Sequence, residues 1–488
     1  MRNAWTFAAL LAVLAPTAST LAQSIDGYNP LPNGSPTTLA IQADGRTLIG
    51  GVFQMVGSTP TSGLARLNAD GSVDTSFATA PINGEVKAVA VQPDGKILIG
   101  GGFTAIGASA YHSLARLNAN GSLDTGFADP NLNDNVWSIA IQPDGRVLVA
   151  GDFTAAGASS RGHLARFTSS GALDGSFPDP QICSTRASSV ALQSNGAIVV
   201  AGYFAQIGNC SGSTYNFYLA RFSPSGVLDT TFPASTPTAF ITSMSVGPDD
   251  SIYVNDAYPT SDSSSTRPVS KLSANGSLVA GYGDLDQDCC VDSFVLQPNG
   301  KVLIGGTFQT LGGQPRHALA RLNANGTLDS GFADLHFSLD STHPNGYIYG
   351  LAAQADGNTI AIGNFTLANG QSRQNMARVV GGDAVSSKLT GQASGSSVIM
   401  TWTRAGGGPE LAQAPTLQYS SNGVNYSAVG TMTRIANGWQ FTAPYNVNGT
   451  PFYLKASGYT SGGAGNGSPG RIGSPVYVSD RIFANGFE

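Results

Sequence analysis

The segment Asp284-Leu-Asp286-Gln-Asp288-Cys-Cys-Val-Asp292 brings four carboxylates together in nine residues. Alternating acidic side chains can converge on a hard cation, so Asp284, Asp286, Asp288 and Asp292 are the expected ligands of a calcium ion, the one cofactor this sequence suggests. Two departures from a calcium loop stand beside them: Cys289 occupies the place of the turn glycine, and no Glu stands twelfth. The other reading is an acidic, solvated loop. Aromatic and imidazole side chains gather in two more places. Tyr215, Phe217 and Tyr218 form one group; His336, Phe337, His343 and Tyr347 form the other. Such rings could stack on sugars, hold a peptide, or pack the base of their own loop. His112 and His317 read as surface residues. No Gly-x-Ser-x-Gly elbow, His-Glu-x-x-His helix or phosphate-binding glycine loop occurs, and no acidic pair is singled out by its spacing. The sequence therefore names no catalytic residue.

The elements that must position these residues come from a repeat. A phrase such as VAVQPDGKILIGGGF begins at Leu39, Val89, Ile139, Val190, Met244, Phe294 and Leu351, with the copy at Met244 degraded. A second phrase, LARLNADGSVDTSF at Leu64, returns at Leu114, Leu164, Leu219, Val269 and Leu319. Each alternates apolar residues around Asp-Gly or Asn-Gly, the dipeptides that accept the positive φ of a tight hairpin. Two hairpins make strands A to D, and a period of about 50 residues carrying four strands is a propeller blade. The last repeat lacks its D phrase near Val380, while Ser24-Ile-Asp26-Gly-Tyr-Asn-Pro30 matches the D phrase Ala172–Pro178. An N-terminal strand completing the last blade gives seven whole blades and removes exposed edges. Paired charges support that count: Arg66–Asp74, Arg116–Asp124, Arg166–Asp174, Arg221–Asp229 and Arg321–Asp329, with Arg378 meeting Asp26 only if the ring closes. Their sixfold recurrence marks them as structural ion pairs. In the fifth blade both partners change together, to Lys271 and Val279.

These phrases resemble the delta-60 repeat family over residues 24 to about 381. The resemblance implies a propeller and leaves the biochemical role open. Loop length varies on one face only, where the B–C and D–A connections emerge: the fourth B–C loop takes 14 residues (205–218) and the last D–A loop 18 (333–350). Variation confined to one face marks a binding face or drift in solvated loops. Cys183 and Cys210 fall on that face of a single blade, which favours a bridge between them; a vicinal Cys289–Cys290 disulfide and links between the two pairs are the other connectivities.

Residues 1–22 read as a cleaved signal peptide, with Arg2, an apolar run and Thr20-Leu-Ala22. Export makes disulfides feasible. Removing Arg2 leaves 23 basic and 30 acidic residues, no basic stripe, and hence no nucleic-acid partner. No later segment is long and apolar enough to span a membrane. From Gly382 the repeat gives way to short alternating strands; residues 383–478 resemble a fibronectin type III β-sandwich, with Trp402 as core tryptophan and Tyr453 on a late core-facing strand. The tail 479–488 resembles short sorting signals of exported Gram-negative proteins. The expectation is thus all-β: a seven-bladed propeller over 23–382 followed by a β-sandwich. It would be a monomer, extracellular or on the surface of a Gram-negative-type bacterium, binding a glycan or protein on its B–C/D–A loop face. The alternative is an extracellular hydrolase or lyase with its active site in the central funnel of that face.

Overall fold

The computed structural model describes residues 23–460, apart from 209–217, 233–236, 238, 257, 262–265, 341–344, 395–396, 412, 423, 436–437 and 445–451, together with the backbone strand Arg471–Val478. The expected signal peptide and C-terminal tail lie outside the described residues. All regular elements among those residues are strands, and no helix is long and apolar enough to cross a membrane.

The second repeat shows how a blade forms. Strand A, Val86–Val91, turns through Pro93-Asp94-Gly95 into strand B, Ile97–Gly101, which pairs on its other side with strand C, Leu114–Leu117. Gln92 and Lys96 close the turn, the Gln92 N–H donating to the Lys96 carbonyl at 2.8 Å. Seven such antiparallel sheets follow one another. Strand A is innermost and packs on strand A of the next blade around most of the ring; the fifth blade meets the sixth through strand B. The last strand A, Tyr347–Ala353, meets the first, Ser35–Ile41. The core lies between blades: Leu98 and Leu114 of the second pack with Ile139, Val149 and Phe153 of the third. Glycine permits this approach. A Cβ on Gly100 would fall 2.5 Å from Val136 of the following blade.

Strand D is much shorter than the repeat predicts. It survives as one bridge per blade, such as Leu117 with Leu123, because the next residues curl into a turn around the Asp124 carboxylate. The exception is the closing strand: Ser24–Ile25 pairs with Val380–Val379, giving the last blade four strands. In five of the B–C connections the chain also forms a two-residue hairpin that the pattern did not suggest, as at Ala105–Ile106 with Ser109–Ala110.

The Arg–Asp pairs sit on this frame. Arg66 Nε donates to Asp74 Oδ2 at 2.8 Å, and Arg378 Nε to Asp26 Oδ2 at 2.7 Å. The carboxyl of Asp74 is pushed up by burial, but Ser76 and Arg66 outweigh that and hold it below the ordinary range. The guanidinium of Arg66 also lies 4.5 Å from the centre of the Phe77 ring and donates to the carbonyl of Ala119 in the next blade at 2.6 Å.

The C-terminal region is a sandwich of two four-stranded antiparallel sheets. One holds Ser386–Ser394, Ser397–Ala405, Gly438–Pro444 and Thr433–Ile435; the other holds Ser427–Thr431, Thr416–Ser420, Phe452–Tyr459 and Arg471–Val478. Trp402 is fully buried between them. In strand Phe452–Tyr459 the inward residues are Leu454 and Ala456, and the alternation leaves Tyr453 half-buried.

Arg66→Ala removes a charge partner, a stacking cation and a link between blades in one step. It should lower stability by about 2–4 kcal/mol, while Arg66→Lys keeps part of the charge and should cost less. Urea unfolding of both variants measures this; a loss below about 0.5 kcal/mol for the alanine variant would show that the ring does not lean on the pair.

Candidate functional site

In six blades the start of strand A is broken by a β-bulge, and the unpaired residues are Thr37, Lys87, Trp137, Ser188, Asp292 and Tyr349. A bulge inserts one residue and re-aims its side chain, here at the loop-face end of the innermost strands. The second glycine of the strand-B pair makes room for it: a Cβ on Gly101 would collide with the carbonyl of Glu85. The inward strand positions that follow keep an apolar character, as Leu39, Val89, Ile139, Val190, Phe294 and Leu351 do. The six bulge positions carry six different side chains.

Their chemistry divides into two arcs. On the second to fourth blades, Trp137 lies between two cations, Lys87 Nζ 4.1 Å and the Arg186 guanidinium 4.3 Å from its ring centre. Its indole N–H donates to Asp152 Oδ2 at 2.8 Å, and Arg186 Nε donates to Asp152 Oδ1 at 2.9 Å. Lys87 also pairs with Glu85. Cation–π stacking and these carboxylates hold the cations in place. On the fifth to seventh blades the mouth is acidic and phenolic. Burial pushes the Asp256 carboxyl up to about 7 against the pull of Gln287 and the Val291 N–H, and the Asp292 charge adds to the rise. Burial likewise pushes Asp292 up to about 6. The Tyr349 phenol is raised by burial and then by Asp292 and Tyr347. Carboxyls that hold protons near neutrality can donate hydrogen bonds or act as general acids.

The opposite end of the axis is crossed by the sandwich. Gln297 Nε2 of the sixth blade donates to the Gly407 carbonyl at 2.7 Å, and the Glu410 N–H to the Leu296 carbonyl at 2.9 Å. Gln413 Nε2 reaches the Ile141 carbonyl of the third blade at 3.2 Å. Gly407, Glu410 and Gln413 therefore reach from the sixth blade to the third.

The expected calcium ligands do not converge: no three of Asp284, Asp286, Asp288 and Asp292 come within metal-binding reach of one another. Two are repeat positions instead. Asp288 Oδ1 accepts the N–H groups of Gln309 (2.9 Å) and Thr310 (3.1 Å), as Asn83 Oδ1 does from Thr104 and Ala105. Asp284 Oδ1 accepts the Ser261 N–H at 2.7 Å, as Asp129 does that of His112. Asp292, turned by its bulge, belongs to the mouth. The adjacent Cys289 and Cys290 are free thiols with Sγ atoms 3.5 Å apart. Cys210, Tyr215, Phe217 and His343 lie outside the described residues. Tyr218 is half-buried against the core of the fourth and fifth blades, 6.3 Å from the Tyr203 ring. Tyr347 opens strand A at the mouth; His336 is exposed and rests on His317. Neither His112 nor His317 is simply solvated, since each Nδ1 meets an aspartate, Asp129 or Asp334. Lys87, Trp137, Arg186 and Asp256 were not singled out by the sequence. The single strand-B glycine opposite each bulge, Gly51, Gly101, Gly151, Gly202, Gly306 and Gly363, is the signal that marks the position.

Residues 42–77, 92–127, 142–177, 193–232, 297–332 and 354–386 match a family described as "Domain of unknown function (DUF5122) beta-propeller". These repeats support a β-propeller family. No curated protein matches the sequence. Among solved structures, a gluconolactonase from Xanthomonas campestris aligns with 15% identity and a TM-score of 0.33, covering 59% of this chain and 88% of its own.

Asp256 and Asp292 set a pH dependence. Their folded values lie above the ordinary 3.8, so the folded state holds extra protons between about pH 4 and pH 7. The stability they contribute is complete below that window and is lost as pH rises through it. Asp256→Asn should flatten the decline in melting temperature between pH 5 and pH 8, and a profile parallel to the wild type would refute the assignment.

Proposed function

We propose that this is an exported binding propeller whose loop-face mouth takes a glycan. The observation that carries the reading is the set of six unlike side chains, Thr37, Lys87, Trp137, Ser188, Asp292 and Tyr349, at one repeat position around one end of the axis. A residue needed for the fold would recur there, as the Arg–Asp pairs do. A ring of fixed donors, acceptors and phenols suits a ligand rich in hydroxyl groups, with the positions held by rigid strands rather than by loops. The half-exposed Arg186 supplies donors, while Glu85, Asp152 and Asp292 accept. The other loop-face candidates, Tyr218, His336 and Tyr347, rim the same side.

Export rests on the leader read at residues 1–22, and the sorting role of residues 479–488 rests on sequence resemblance alone. The fibronectin type III reading of the C-terminal sandwich is supported by the buried Trp402. A Cys183–Cys210 bridge is supported by the free thiols of Cys289 and Cys290. One observation favours a second reading. Two adjacent carboxyls of raised affinity for protons, Asp256 and Asp292, could serve a hydrolase or lyase as its acid.

A glycan array probed with the chain from Gln23 onward tests both readings. Binding should occur and fall at least tenfold in Lys87→Ala and Asp292→Asn. Binding untouched by either change would move the ligand away from the mouth. A blank array, with polysaccharide cleavage that disappears in Asp292→Asn, would decide for the enzyme.

A further inference from the structure

A second cluster stands on the loop face away from the mouth. His317 follows the B–C hairpin of the sixth blade; Asp334 and His336 begin the connection to the seventh. Asp334 Oδ1 accepts the backbone N–H of His317 at 3.0 Å and of His336 at 3.2 Å. Its Oδ2 lies 2.6 Å from His317 Nδ1. The two imidazoles are 3.9 Å apart between ring centres, and one donor atom from each of the three residues lies within 4.8 Å of the others. Burial pushes the Asp334 carboxyl up, but the N–H groups of His317 and His336 and the imidazole outweigh it, so it stays anionic.

We infer that His317, Asp334 and His336 form a binding site for a divalent transition metal of the zinc, copper or nickel kind. Two imidazole nitrogens and one carboxylate are a borderline donor set that prefers these ions over calcium. Ligand bonds of about 2.0–2.2 Å need the three donors somewhat closer than they stand, and the exposed His336 can swing to close the difference. Asp334, fixed by two backbone donors, and His317, fixed by Asp334, provide the rigid half of the site. With three protein ligands at a surface loop, coordination positions remain open to water or to a ligand group.

The molecule contains its own control. In the second blade Asp129 holds His112 in the same way, with Nδ1 at 2.7 Å and backbone bonds of 2.9 Å from His112 and Asn131. In the third blade Asp179 accepts from Gly162 and Gln181. The carboxylate is thus a repeated structural cap, and among the described residues only the sixth-to-seventh connection adds the second imidazole. This inference stands apart from the mouth and does not depend on what binds there.

Titration of the chain from Gln23 onward with zinc chloride by calorimetry, and with cobalt chloride by visible absorption, tests it. One ion per chain should bind at pH 7.5, with a cobalt d–d spectrum. His336→Ala, on an exposed loop, should weaken zinc at least tenfold, and His317→Ala likewise. His112→Ala should leave binding unchanged. No binding by the wild type, or binding that His336→Ala leaves intact, would overturn the site.

Discussion

The ring depends on one guanidinium in each of six blades. Arg66 holds the Asp74 carboxylate of its own strand D, lies over the Phe77 ring, and donates to the Ala119 carbonyl of the next blade. Phe77 itself presses against Gly121 in that next turn, where φ is 91° and an added Cβ would strike the ring. Arg116, Arg166, Arg221 and Arg378 repeat the whole arrangement, with Ser169, Pro224, Ala274 and Ala69 as the carbonyls they reach. A buried ion pair contributes little net stability against apolar packing, so the value of this one is directional. It ties the outer edge of each blade to the turn of its neighbour, and the apolar cores between blades then fall into register. The fifth blade departs from this pattern. Lys271 turns to Asp249 and the Tyr253 ring, and Arg267 donates within its own blade, to the Tyr282 carbonyl at 2.9 Å.

Fixing the ring at its outer turns frees its inner end. Strand A is held by ladder bonds and by the blades on both sides, so the side chain at the bulge need not be one fixed type, even where it bonds the next blade as Thr37 does to the Val86 carbonyl and Ser188 to the Ile241 carbonyl. The bulges put that position to use. They need glycine opposite them, and strand B supplies one in each of these blades, at Gly51, Gly101, Gly151, Gly202, Gly306 and Gly363. It admits the bulge carbonyl, and where a second glycine precedes it, at Gly50, Gly100 and Gly305, that one admits the next blade. Variation in chemistry is then tolerated where variation in the turns or the Arg–Asp pairs is not.

Much of this was legible in the residues. The Asp-Gly turns and the Arg–Asp spacing located the strands, and the match between Ser24–Pro30 and Ala172–Pro178 located the closure. The calcium reading failed because spacing was taken alone. Aligned on the repeat, Asp284 is the cap that Asp129 provides elsewhere, and Asp288 is the cap that Asn83 provides, so their carboxylates face backbone rather than one another. The bulges were hidden because a bulge is a property of pairing, and one strand's sequence does not reveal its register. The His317–His336 contact was hidden for a related reason: the two residues lie on different connections, and only the blade brings those connections side by side.

Closing the ring with an N-terminal strand leaves one clasp without its partner. Arg321 of the sixth blade should reach the C–D turn of the seventh, but the seventh blade has no such turn, since its D strand comes from Ser24–Ile25. The chain leaving strand C fills the gap. Asp383 meets Arg321 at 3.3 Å and Lys301 at 3.2 Å, and it accepts from Asn299 at 2.7 Å. A carboxylate thus replaces a carbonyl as the acceptor, and it sits at the first residues of the sandwich. That contact starts the second domain beneath the A–B turns, and residues 407–413 follow across the axis. The same closure that completes the ring therefore also sets the sandwich at the A–B-turn end of its axis, opposite the six bulged side chains.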